Sequence, residues 1–239
     1  METLKETKVK TLPKKTNEES VSISLDDIMN MMEKDISIPV EEFPNIDLYM
    51  DQLTTFMNKN LESAKRNDND KILTKTMINN YAKCGLLPPP DKKLYTKAHL
   101  ISLTFIYYLK NILSINDIKK VLDPLYLNFF NNEEFKMEDV YKEVFSYAPS
   151  GLDLMREDVS RQVELSHEMF KDAPKDKKEF LQTFALLCEI SYSIYIRKHL
   201  LESIIDSLPS IDIKKLEKEA KEKEVKAKKE KAEKEKKKK

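Results

Sequence analysis

Between Thr74 and Tyr95 the chain sets out Thr74, Lys75, Thr76, Asn79, Asn80 and Lys83, then Lys92, Lys93 and Tyr95. Asparagine amides pair bidentately with adenine edges, lysine ammonium groups neutralise phosphates, and hydroxyls donate to phosphate oxygens. These residue types suit recognition of a polyanion whose units also carry hydrogen-bonding edges. Bond-making chemistry has no comparable set. His99, His167 and His199 are scattered, and no His-Glu-x-x-His, paired-cysteine or carboxylate motif at metal-ligand spacing occurs. Two glycines in 239 residues leave no room for a nucleophile elbow, a P-loop or a dinucleotide fingerprint. Cys84 and Cys188 stand alone and read as simple thiols. The acidic pairs Asp26-Asp27, Glu41-Glu42 and Glu133-Glu134 read as helix starts or solvated faces. Neither enzymatic activity nor a metal or cofactor is expected.

The elements that position these residues are helical. Lys, Glu, Leu and Met are abundant and glycine is nearly absent, which predicts an all-α fold. Apolar spacing predicts a helix from Ile46 to about Leu61 and a short one over 72–83, with Thr74 as N-cap and Met77, Ile78 and Tyr81 as its apolar face. Gly85 supplies a left-handed helix end, after which Leu86 and Leu87 fold back on the core. Pro88, Pro89 and Pro90 forbid further helix and stiffen an arm carrying Lys92, Lys93, Leu94 and Tyr95. Thr96 caps a helix to about Leu113 that is apolar nearly all round and therefore buried, with His99 as a packed or capping residue. Ser114 caps a small helix that Pro124 is expected to end. A helical pair broken at "YAPSG" and a long helix over about 177–208 follow. The wide apolar surface of that last helix has to be covered by its own domain or by a second subunit.

Formal net charge is zero, but the zero hides a pattern. Residues 71–123 hold nine lysines against Asp91, Asp117 and Asp123, while residues 21–70 and 124–213 are both net acidic. A basic island between acidic flanks points to a polyanion partner. Residues 214–239 are Lys/Glu low-complexity sequence in which every glutamate has a lysine four positions later. Such pairs support a solvated helix weakly and make no core. The polar leader 1–20 lacks an apolar stretch of signal-peptide type, and no run of apolar residues is long enough to span a bilayer. A cytoplasmic location is expected.

The segment "TKTMINNYAKCGLLPPPDKKLYTKAHLISLTFIYYLKNILSINDIKKVL" resembles the MerR-type winged helix-turn-helix. Tyr81 ending the recognition helix, Gly85-Leu86-Leu87-Pro88, Lys93-Leu94-Tyr95 and Thr96 follow that family's order, as do Ser114, Ile118 and Leu122 in the small helix. Thr76 and Asn79 stand where the family usually carries arginines. The segment is also similar to an uncharacterised bacterial domain-of-unknown-function family that carries this winged module. The resemblance implies an all-α fold with a small wing, double-stranded DNA as partner, and Thr74, Lys75, Thr76, Asn79, Asn80, Lys83, Lys92, Lys93 and Tyr95 as contacts. It also implies a homodimer formed through the long helix.

The expected organisation is a flexible leader over 1–20, a short helix (Ser24 to Glu33) and proline-containing linker over 21–45, a winged helix-turn-helix over 46–125, a helical dimerisation or signal-receiving region over 126–210, and the tail over 211–239. The expected function is sequence-specific transcriptional regulation. The alternative is a winged-helix protein-interaction module that uses its basic tail for contacts.

Overall fold

The computed structural model describes residues 37–209 except Asp68 and Glu133. The leader, the helix expected at Ser24 to Glu33 and the Lys/Glu tail lie outside the described residues. The chain enters through Pro39 and a single 3-10 turn, Val40–Glu42, whose flanking prolines hold the backbone extended on either side. Strand β1 (Leu48–Tyr49), helix α1 (Met50–Asn60), helix α2 (Lys75–Lys83) and strand β2 (Leu94–Tyr95) come next. Helices α3 (Lys97–Leu109), α4 (Ile115–Phe129), α5 (Met137–Ser146), α6 (Ala148–Glu168) and α7 (Lys175–Ser207) complete the described chain. The fold is mostly helical, with one two-stranded antiparallel sheet among the described residues.

Helix α3 is the hub. Its side chains from His99 to Thr104, with Ile106 and Tyr107, are all buried, and its remaining residues are half-buried. Leu53 and Met57 of α1, Ile78 of α2, and Ile118 and Leu122 of α4 join its Leu100, Ile101, Leu103 and Ile106 in one core. Each side chain removed from water in this way contributes about 1.5–3 kcal/mol. The core reaches beyond the range expected for the winged module. Ile38 and Phe43 are buried, and Tyr141 of α5 donates its hydroxyl to the Ile38 carbonyl at 2.9 Å while its ring meets Phe43 edge-on at 5.2 Å.

Three expectations need correction. The first concerns Ile46–Tyr49, which does not start a helix. Leu48 pairs with Tyr95 and Tyr49 with Leu94, and burial alternates along the strand as a period of two requires. The returning arm offers backbone partners that a helix start would have left to solvent, and at the first turn of α1 the Gln52 side chain accepts the Tyr49 N–H at 2.9 Å. The second concerns α2, which starts at Lys75 because Ile72 and Leu73 are used as buried connectors before the Thr74 cap.

The third concerns Pro124, which does not end α4; the helix runs through it to Phe129. Proline in a helix interior costs about 3 kcal/mol. The turn beyond it carries Leu125, Tyr126 and Phe129 onto the core, with Phe130 just past its end, and this packing offsets the lost hydrogen bond.

Helices α6 and α7 form an antiparallel hairpin. Gln182 of α7 donates to the carbonyls of His167 and Met169, satisfying the end of α6, and Arg197 meets Asp158 at 3.1 Å. The far end of α7 returns to the body, where Ile205 is buried in the core and Asp206 meets Lys120 of α4 at 3.3 Å. Along α7, Phe180, Phe184, Leu187, Tyr192, Ile194 and Leu200 are all more than half exposed. Among the described residues no helix is long and apolar enough to cross a membrane.

The continuous α4 makes Pro124→Ala informative. Alanine restores the missing N–H and relieves the ring clash, so the variant should gain about 1–3 kcal/mol. Thermal unfolding should show a raised midpoint; a lowered one would mean that the packing of residues 125–130 depends on the proline.

Candidate nucleic-acid interface

Helix α2 is fixed at both ends. At its start the Thr74 hydroxyl accepts from the Met77 N–H at 3.2 Å. At its end the Leu86 N–H reaches the Tyr81 carbonyl at 2.8 Å and the Gly85 N–H reaches the Ala82 carbonyl at 3.2 Å. That pair of bonds is the Schellman termination, and it needs the left-handed backbone that Gly85 adopts at φ 71°. The Gly85 carbonyl accepts from Lys119 of α4 at 2.8 Å, and Leu86 and Leu87 are fully buried behind it. With Ile78 and Tyr81 turned into the core, Lys75, Thr76, Asn79, Asn80 and Lys83 are left on the exposed side.

The arm after Pro90 closes in a two-residue turn. Leu94 N–H donates to the Asp91 carbonyl at 2.8 Å, and the two residues between, Lys92 and Lys93, have φ of 47° and 66°. Consecutive left-handed residues make a type I′ geometry, which matches the twist of a strand pair and normally selects Asn-Gly. Lysine there costs on the order of 1 kcal/mol per residue. Both side chains are exposed. A glycine-poor chain thus holds two cations at positions where its backbone would prefer glycine.

Two of the expected contact residues are otherwise occupied. Thr74 is half-buried and its hydroxyl serves the α2 cap, so it lies at the edge of the face. Tyr95 is a core residue, 3% exposed, with its ring edge-on to His99 at 5.4 Å. Pairing with Leu48 turns its ring inward, so it anchors the arm to the core. Burial pushes the Tyr95 hydroxyl pKa up.

His99 supports the foot of the arm. Its Nδ1 accepts from the Thr96 N–H at 3.0 Å, which places the ring proton on Nε2 and completes the cap of α3. The ring lies between Tyr95 and Phe130, 4.8 Å from the latter. Burial lowers its pKa below the ordinary 6.5, against the opposing pull of the Pro89 and Pro88 carbonyls and of Asp47.

The basic island divides into two groups. Lys97 pairs with Glu138 at 3.1 Å, Lys110 donates to the Ile72 carbonyl at 3.0 Å, Lys119 holds Gly85 and Asp123, and Lys120 holds Asp206. These four tie elements together. Lys71, Lys83, Lys92 and Lys93 are exposed, and Lys75 is exposed but ion-paired with Asp51 of α1. Sequence reasoning missed that pair, because its partners lie on separate helices. Tyr49, which the sequence reading placed in a helix, instead stands exposed on the strand beside the turn. Among the described residues no group of three or more His, Cys, Asp or Glu could hold a metal ion.

Residues 38–144 match the model of a family described as a domain of unknown function (DUF1836). The matched stretch runs from the entry at Ile38 through nearly all of α5 and leaves α6 and α7 outside it. It is consistent with an uncharacterised domain family. No curated protein and no solved structure matches the chain.

Two outcomes follow from this geometry. Lys93→Gly relieves a left-handed lysine and should raise stability by about 0.5–1 kcal/mol in denaturant unfolding while removing an outward charge. A loss of stability would show that Lys93 makes a structural contact. The folded-state pKa of His99 lies below its unfolded value, so the unfolded chain binds the proton more readily. Stability present above pH 6.5 should therefore fall as pH drops through 6.5 toward the folded pKa. His99→Gln keeps a capping acceptor without titrating, and its unfolding midpoint should lose that part of the pH dependence.

Proposed function

We propose that this chain is a sequence-specific DNA-binding regulator of MerR-like type that reads a duplex as a homodimer. The observation that carries the reading is the pairing of a capped, outward polar helix face with a strained turn of two lysines, both mounted on α1 and the two-stranded sheet. Strand, helix, helix, arm, helix, helix is the order of a winged helix-turn-helix, and α2 occupies the recognition position. Asn79 and Asn80 would meet base edges, with Thr76 beside them. Lys83, Lys92 and Lys93 would meet phosphates, and Lys75 would exchange Asp51 for a phosphate on binding. The exposed apolar length of α7 supports pairing of two copies, which calls for a two-fold-symmetric site.

Binding-site selection with the full chain, followed by anisotropy titration across salt, tests this directly. Lys83→Ala or Lys93→Ala should weaken binding on every sequence and reduce the slope of log affinity against log salt by about 0.9. Asn79→Ala should instead relax preference at one base position, at about 1–3 kcal/mol of discrimination. Asp51→Asn frees Lys75 and should tighten binding about two- to five-fold at low salt, the scale of an exposed ion pair. A full chain that ignores every duplex at low ionic strength would remove the reading. Binding that disappears when the chain ends at Pro209 would assign it to tail electrostatics.

A further inference from the structure

The two-stranded sheet has an outer face that these contacts leave unused. Tyr49 pairs with Leu94, and Leu48 with Tyr95. Cross-strand partners share a face. Leu48 and Tyr95 point into the core at 6% and 3% exposure, so Tyr49 and Leu94 point away from it, and Tyr49 is 58% exposed. Ile46, three residues earlier, is 67% exposed.

Tyr49 sits on a rigid mount. Its backbone is held by the strand pairing and by the bond from its N–H to Gln52 at the start of α1. Its cross-strand neighbour Leu94 closes the turn that carries Lys92 and Lys93. Two residues beyond it, Asp51 reaches Lys75 of α2. Tyr49 therefore stands where the arm meets the start of α1, two residues from the Asp51 that reaches α2. An apolar partner would strip water from these lysines without supplying counter-charge. A nucleic-acid backbone supplies both parts of the complement: phosphates for the cations, and apolar sugar edges for the ring.

We propose that the outer face of this sheet, centred on Tyr49, is a further duplex contact, with the Tyr49 ring packed on deoxyribose at the minor-groove edge beside phosphates held by Lys92 and Lys93. The inference rests on the duplex-binding reading above, and it adds a contact of a different kind. The lysines contribute through counterion release, whereas the ring contributes through dispersion and removal of apolar surface from water, which salt hardly screens.

The test uses the full chain and a fluorescein-labelled duplex obtained by site selection, titrated by anisotropy at several salt concentrations. Tyr49→Ala should weaken binding about ten-fold with an unchanged salt slope, and Tyr49→Phe should stay within about two-fold, since the ring and not the hydroxyl makes the contact. The thermal midpoint of both should match the parent, because the side chain is solvent-facing. The chain contains no tryptophan, so Tyr49→Trp provides a single reporter whose emission should shift and whose quenching by acrylamide should fall on adding duplex. Equal binding by the parent and Tyr49→Ala, with a silent Tyr49→Trp, overturns the sheet-face contact and leaves duplex binding standing. A parent chain that binds no duplex overturns the functional reading, and this inference with it.

Discussion

A helix that is apolar on every side is stable in water only when other elements enclose it, and α3 imposes that requirement on the rest of the chain. Leu53 and Met57 cover it from α1, Tyr141 and Phe145 from α5, and Tyr95 from the arm. Phe130 closes over His99 at its N-terminal end. Enclosure uses the inner side of each neighbouring element and thereby defines the outer ones. Helix α2 turns Ile78 and Tyr81 inward and leaves its amides and lysines facing water. The arm buries one residue of its short strand, Tyr95, and leaves its turn outside. The candidate interface is what remains of α2 and the arm once α3 has been covered.

The lysines show how one residue type serves two physical purposes. Lys97, Lys110, Lys119 and Lys120 spend their charge on carbonyls and carboxylates that join separate elements. Lys110 is desolvated enough for its pKa to fall, and its ammonium lies over the Tyr107 ring at 4.8 Å. Lys92 and Lys93 contribute nothing of that kind and hold an unfavourable backbone conformation. Strain at exposed cations is a cost to the fold, which is the reason to seek its return in binding.

What could be read in the sequence followed from local rules. Gly85 with Leu86 and Leu87 was legible because a left-handed helix end followed by two leucines leaves few alternatives, and the Thr74, Thr96 and Ser114 caps were legible because their partners lie three residues away. The all-round apolar pattern of α3 dictated burial. The misses were long-range. Leu48 and Tyr49 look helical until Leu94 and Tyr95, more than forty residues on, offer a strand. Pro124 looks like a stop until the aromatic residues beyond it find the core. No local rule separates the structural lysines from the outward ones, since the partners of Lys97 and Lys120 lie in α5 and α7.

Helix α7 is anchored to α4 at Ile205 and Asp206, and α4 in turn holds the Gly85 carbonyl through Lys119. Protection of lysine side chains measures the division between structural and outward lysines directly. Brief acetylation of the full chain with and without duplex, read by mass spectrometry, should show Lys83, Lys92 and Lys93 reacting freely alone and shielded in the complex. Lys97 and Lys110 should react slowly in both states. Shielding confined to the Lys/Glu tail, or a duplex that leaves Lys83, Lys92 and Lys93 as reactive as before, would contradict it.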